Sequence, residues 1–141
     1  MRLLSLDVGD KTIGVAISEM ASWTSPITTI LRRNLEADMA TLQGIIEERD
    51  PERIVIGLPL NMDDSEGPRA AKTRRFAAAA RERFGVPIVL WDERLSTFEA
   101  DQRLEEAGVP AHKRKAMIDM VAAQVILEAY LAAGAPERGL E

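Results

Sequence analysis

The sequence predicts an α/β domain built on one mixed five-stranded sheet, three antiparallel strands then two parallel, flanked by helices. Three observations predict it. Up to Leu31 the apolar residues form short β-branched runs broken by turn residues. After Asn34 the apolar spacing changes to four, three and four, the period of one helix face. From there strand-like runs alternate with helical stretches, which is the pattern of parallel crossover units.

The elements follow in order. Leu3–Leu6 and Ile13–Ile17 flank Gly9 and Asp10 and read as a hairpin, with Gly14 as a position of close approach. Ser25–Leu31 continues as a third strand, and Pro26 assigns it to an edge or a strand start. Leu35, Met39, Leu42 and Ile46 share a helix face, with Asn34 as N-cap and Asp50-Pro51 as the stop. "RIVIGLP" is a buried parallel strand closed by Gly57 and Pro59. A second helix is expected from Ser65 to Phe84, burying Phe76, Ala80 and Phe84 and stopping at Gly85. Pro87–Trp91 is the last strand. Helices from Thr97 to Glu106 and from Arg114 to Ala132 complete a single domain over residues 1–133. Residues 134–141 are expected to be a loose tail.

Composition narrows the chemistry. The 141 residues include no cysteine and one histidine. Disulfides, Cys-ligated zinc, a thiol nucleophile and multi-His metal sites are excluded. No apolar run is long enough to span a bilayer, and the N-terminal residues lack a signal-peptide pattern. A cytoplasmic protein without a membrane partner is expected. The net charge of −5 means that a nucleic-acid partner must meet a local basic patch rather than an attractive overall field.

Three acids occupy special places. Asp7 ends the first strand, Glu93 follows "IVLW", and Asp119 lies among small residues in the last helix. Strand ends of an open α/β sheet are where ligands bind, and alanines near Asp119 let its helix approach them. Taken singly, Asp7 reads equally as a turn residue, Glu93 as a partner of Arg94, and Asp119 as a partner of Lys115. Asp92 competes with Glu93, because neighbouring strand residues face opposite ways. Taken together, three converging carboxylates persist only if protonated, paired with cations or filled by metal. All-oxygen ligation suits Mg²⁺ or Mn²⁺, and two such ions about 4 Å apart clamp a phosphodiester for in-line hydrolysis.

Candidate substrate contacts surround that point. Lys11 follows the Asp7 turn, and Asn61 and Ser65 lie in the polar "GLPLNMDDSEG" loop, where Ser65 reads either as a phosphate contact or as a helix N-cap. Arg69 and Lys72 open the second helix, and Lys113, Arg114 and Lys115 precede or open the last. These charge runs read as solvated faces or as backbone-binding patches. Arg94, Ser96 and Thr97 belong to "DERLST" and are assigned to substrate contact or to orienting Glu93.

Four stretches in order, "LSLDVGDKTIGVAIS", "IVIGLPLNMDDSEGP", "DERLSTFEA" and "KRKAMIDMVAAQVIL", resemble the YqgF/RuvX family of Holliday-junction-resolvase-like nucleases. The resemblance runs from Leu3 to about Leu131. It implies a ribonuclease H-like fold and a metal-dependent endonuclease with Asp7, Glu93 and Asp119 as catalytic and metal-binding residues. It also implies a nucleic-acid partner, either a precursor of small-subunit ribosomal RNA or branched DNA. Symmetric junction cutting would call for a homodimer. The family commonly has threonine at Asp10, glycine at Asp64 and aspartate at Glu19, so this chain carries extra negative charge near the expected site. Two other readings stay open: a non-catalytic RNA- or ribosome-precursor-binding module, and an actin-like phosphate loop, whose two-lobed architecture this length cannot supply.

Overall fold

The computed structural model describes residues 1–20 and 23–141. The elements are β1 (Leu3–Val8), β2 (Thr12–Met20), β3 (Trp23–Leu31), α1 (Leu35–Arg49), β4 (Arg53–Leu58), α2 (Pro68–Arg83), β5 (Ile88–Asp92), α3 (Ser96–Glu106) and α4 (Ala111–Ala132). The sheet order is β3-β2-β1-β4-β5. The β1/β2 and β2/β3 pairs are antiparallel, and β1/β4 and β4/β5 are parallel. Pro26 therefore sits on an edge strand, where a missing N–H costs no ladder bond.

The chain leaves β3 through α1 and returns on the other side of β1, so the strand order reverses at β1. All six β1 residues are buried, and their alternation divides them between two cores. Leu4, Leu6 and Val8 face α1 and α2, packing with Met39, Leu42, Phe76, Ala80 and Phe84. Leu3 faces α4 and packs with Ile126, Leu127 and Tyr130. Ser5 faces the same way, its hydroxyl donating to the Ala123 carbonyl at 2.7 Å. The next residue on that face is Asp7.

Small side chains set the α4 distance. Gly14 lies opposite Asp7 in the β1/β2 ladder, and a Cβ there would stand 1.9 Å from the Asp119 carbonyl oxygen. The helix backbone thus rests directly on the strand. Four residues of helix rise about 6 Å, nearly matching two residues of strand at about 6.7 Å. Leu127, Ala123 and Asp119 consequently fall over Leu3, Ser5 and Asp7 in turn.

Three expectations are corrected. The second helix begins at Pro68, not Ser65. Proline suits the first helical position, and it holds Gly67 extended at φ −104° and ψ −166°. Ser65 stays in a turn closed by the Leu60–Glu66 bridge. The last helix begins at Ala111, not Arg114, because the Pro110 carbonyl already accepts from the Lys113 and Arg114 amides. The tail also differs from the loose segment expected. The Leu140 amide donates to the Leu90 carbonyl at 2.9 Å, Leu140 packs on the α1/α2 core, and the Pro136 carbonyl accepts the Tyr130 hydroxyl. The tail thereby covers the free edge of β5. In α1, Asn34 caps as expected, its side chain accepting from the Ala37 amide. Leu35 is exposed, whereas Asp38 is buried and held by the Arg32 guanidinium at 3.0 Å.

Two glycine substitutions separate packing from propensity. Gly14→Ala is expected to lower the unfolding free energy by about 3 kcal/mol, because backbone must move to admit the methyl. Gly44→Ala, inside α1 with nothing near its Cβ position, is expected to raise it by about 0.5–1 kcal/mol. Urea denaturation of the two variants checks both directions.

Candidate active site

Asp7 and Glu93 are each only 7% exposed, and their carboxyl groups are close enough for each to act on the other's ionisation. They come from strands that are not neighbours, since β4 lies between β1 and β5. Gly57 on β4 solves this. A Cβ there would lie 2.8 Å from the Glu93 Cβ, so the Glu93 side chain occupies the space a Gly57 side chain would take. The Glu93 amide donates to the Leu58 carbonyl at 3.1 Å, which carries the β4/β5 pairing one step past β5.

Ser96 holds the Glu93 end. Its hydroxyl donates to Glu93 Oε2 at 3.0 Å and its amide to the Glu93 carbonyl at 3.0 Å. The turn that permits this puts Leu95 in the left-handed region at φ 69°, a conformation costing a leucine about 1–2 kcal/mol. Asp92 points elsewhere, accepting from Arg94 Nε at 2.9 Å. Of the adjacent acids, Glu93 is therefore the one that meets Asp7.

Asp119 is half-buried at the point where the α4 backbone rests on Gly14. Its carboxylate accepts from the Thr12 hydroxyl at 2.6 Å and is close enough to Asp7 to act on its charge. Among the described residues, no three His, Cys, Asp or Glu side chains stand close enough together to hold one metal ion as they are oriented here. The structure thus sets Asp7 and Glu93 side by side and places Asp119 beside them, engaged with Thr12.

The electrostatics follow from burial. Burial holds the Asp7 carboxyl well above the usual aspartate range, and the charges of Glu93 and Asp119 push it further up. Burial also raises Glu93, against the Ser96 hydrogen bond and the adjacent Asp7 carboxyl, which favour its ionised form. Two adjacent buried carboxyls cannot both ionise cheaply. A hard cation bound by their oxygens would remove that conflict, so the donor set fits Mg²⁺ or Mn²⁺. Arg69 is the nearby cation that favours the ionised form of both groups.

The other predicted contacts separate into free and committed side chains. A groove of about 360 Å³ opens beside Glu93, lined by Leu60, Asn61, Met62, Arg69 and Thr97. Lys11, Arg69, Thr97, Lys113 and Lys115 are exposed, and among the described residues none of these four cations forms an ion pair. Lys72 pairs with Asp10 at 3.1 Å. Arg94 pairs with Asp64 and Asp92, tying the β4–α2 loop to the β5–α3 turn. Arg114 pairs with Asp101 at 3.0 Å, so it fastens α4 to α3. Ser96 is buried, and its hydroxyl is committed to Glu93. Asn61 Nδ2 donates to the Ser65 hydroxyl at 2.9 Å, and that hydroxyl donates to Asp63, so both residues shape their loop. Asp64 there has φ 71°, the left-handed conformation a glycine adopts freely.

Sequence reasoning missed Thr12, Ser5 and the spatial role of Gly57. The signal for Gly57 was present: a glycine inside an otherwise apolar buried strand marks a close approach.

A β3-β2-β1-β4-β5 sheet with carboxylates at the ends of β1 and β5 and on the helix crossing them defines a ribonuclease H-like domain. Residues 1–133 match the family model described as "RuvX: Holliday junction resolvase", and the chain belongs to that family. A Myxococcus xanthus relative named "Putative pre-16S rRNA nuclease" is 49% identical, covering 96% of this chain and 91% of the relative. One from Halothermothrix orenii with the same name is 46% identical, covering 93% and 94%. Among solved structures, Thermus thermophilus RuvC in complex with a Holliday junction substrate superposes with a TM-score of 0.61 at 12% identity, covering 96% of each chain. The fowlpox virus resolvase with Holliday junction DNA gives 0.58 at 12% identity, covering 96% of this chain and 100% of that one. At such identities these two likenesses bear on the fold alone.

The raised Asp7 value has a sign that can be tested. Between the ordinary aspartate range and the raised value, the folded protein keeps a proton that the unfolded chain releases. Metal-free stability therefore falls as pH rises through that window, and Asp7→Asn removes most of the fall. Urea unfolding in EDTA from about pH 4 to about pH 8 is expected to show a shallower pH dependence, and higher stability at neutral pH, for Asp7→Asn. Parallel profiles would contradict the assignment.

Proposed function

We propose that the protein is a divalent-metal-dependent endonuclease that hydrolyses phosphodiester bonds in structured nucleic acid, with precursor small-subunit ribosomal RNA as its substrate. The observation that carries this reading is the buried Asp7–Glu93 pair at the strand ends, beside an open groove that contains Arg69. Membership of the RuvX family and the names of its relatives support it.

In this reading Asp7 and Glu93 hold Mg²⁺ or Mn²⁺ through their carboxylate oxygens, and Asp119 completes the set by turning from Thr12. Held there, such a cation would supply activation of the attacking water and neutralisation of charge developing on the phosphate. The chain's own residues do the rest. Ser96 keeps the Glu93 carboxylate aimed across Gly57. Thr12 keeps Asp119 within reach. Arg69 faces the phosphate from the groove wall. Lys11, Lys113 and Lys115 extend the cationic rim, and Lys113 sits in the first turn of α4, where a cation is disfavoured by the helix dipole and favoured by an anionic partner. Two copies acting together would be needed only for symmetric cleavage of branched DNA.

A second reading, a non-catalytic module binding ribosomal precursor RNA, draws support from the Asp119–Thr12 hydrogen bond, which engages the third carboxylate away from the pair.

One experiment separates them. Cleavage of a precursor-like RNA, a DNA duplex and a four-way DNA junction is measured with Mn²⁺, and thermal unfolding is followed with and without the ion. The nuclease reading expects cutting that Asp7→Asn lowers by at least about a thousandfold, or about 4 kcal/mol of barrier. It also expects Mn²⁺ to raise the Tm of the wild type but not of Asp7→Asn. Undiminished cutting by Asp7→Asn, or no Tm response to Mn²⁺, would sink it.

A further inference from the structure

Four cations line the spaces beside the carboxylate pair, and they are not equivalent. Arg32 is held by Asp38 at 3.0 Å and donates to the Gly9 carbonyl. Arg94 is held by Asp92 and Asp64 and also donates to the Met62 carbonyl at 3.4 Å. Lys72 is held by Asp10 alone, in an exposed pair at 3.1 Å. Arg69 has no acidic partner among the described residues, and it lines two adjoining spaces. One is the groove beside Glu93. The other is a small hollow between the β1–β2 turn and α2, which it shares with Asp10, Arg32 and Lys72. Arg69 and Lys72 are three residues apart on α2, so their side chains are neighbours about 5–6 Å apart at Cβ, close to the spacing of successive phosphates. Asp10 already occupies the cation that a second backbone phosphate would need.

We propose that Asp10 is a built-in competitor for the nucleic-acid backbone: it occupies Lys72, so that Arg69 alone anchors the first phosphate, and a second phosphate is held by Lys72 only when it displaces Asp10. This rests on the nuclease reading and adds to it a determinant of how many phosphates the cleft holds. The Lys72 ammonium lowers the Asp10 carboxyl's pKa, so Asp10 stays ionised at neutral pH and competes throughout that range. Released counterions report the number of phosphates held: the slope of log K against log salt is about −0.9 per duplex phosphate and about −0.7 per single-strand phosphate.

The test measures binding of a fluorescein-labelled RNA hairpin and a labelled four-way DNA junction across a salt series, in an Asp7→Asn background so that the probes stay intact. Asp10→Asn is expected to tighten binding several-fold at low salt and to steepen the slope by about 0.7–0.9. Lys72→Ala is expected to change affinity little while Asp10 is present, and Arg69→Ala to weaken binding about tenfold. In a Lys72→Ala background, Asp10→Asn is expected to lose its tightening effect. The proposal is overturned if Asp10→Asn leaves affinity and slope unchanged. It is also overturned if the tightening survives undiminished without Lys72, since that is the signature of the long-range field alone. Failure of the parent to bind either probe overturns the nuclease reading itself, a result distinct from both.

Discussion

The backbone contact between Gly14 and Asp119 is the constraint on which the arrangement depends. With no side chain at Gly14, α4 settles onto β2 and β1 at a depth that a Cβ would forbid. From that contact the helix runs down the sheet in step with β1, so that Ala123 meets Ser5 and Tyr130 reaches the Leu3 layer. One missing methyl thus sets both the height of the helix and its rotation, and with them the position of the Asp119 carboxylate. A second absent side chain, at Gly57, lets Glu93 cross β4 to reach Asp7. The carboxylate cluster is assembled by two vacancies in the sheet surface as much as by the acids themselves.

That assembly has an energetic consequence. Burial and mutual repulsion oppose ionisation of Asp7 and Glu93, so the metal-free fold carries a local instability that a well-packed apolar pair would avoid. Such sites persist where function needs them. The surrounding cations are arranged around the same fact. Arg32, Lys72, Arg94 and Arg114 are tied to acids in ion pairs that fasten loops and helices, which suits a chain of net charge −5. The uncommitted ones named above, Lys11, Arg69, Lys113 and Lys115, gather at the end of the sheet that carries the carboxylates. A molecule with a repulsive overall field can in this way present a local attractive surface to a polyanion.

Much of this was legible in the sequence because it is local. Strand periods, the Asn34 cap, the edge placement of Pro26 and the strand-end position of Asp7 all depend on neighbouring residues, and each agrees with the structure; the α1 period agrees at Met39 and Leu42 but not at Leu35, which is exposed. Glu93 was separable from Asp92 only up to an alternation that needed a register. What remained hidden is long-range pairing. Nothing near Lys72 in the chain announces Asp10, and Arg114 gives no local sign that Asp101 will take its charge. The Ser65 reading failed because Ser is a good cap in general, whereas Pro68 three residues on is a stronger start signal. The tail was misjudged because its contacts, a backbone bond to Leu90, the packing of Leu140 and the Tyr130 hydroxyl bond to the Pro136 carbonyl, have no local signature. Asp10, unexplained as a turn residue, acquires a partner only when α2 is folded back beside the hairpin.

The central claim is that the Asp7–Glu93 pair is a divalent-cation site. The most direct measurement is anomalous diffraction from crystals of the wild type and of Asp7→Asn grown with Mn²⁺. The account predicts an anomalous peak within coordination distance, about 2.0–2.3 Å, of carboxylate oxygens of both Asp7 and Glu93, absent in Asp7→Asn. A wild-type crystal saturated with Mn²⁺ that shows no peak there, with the two carboxyls still side by side, would contradict it.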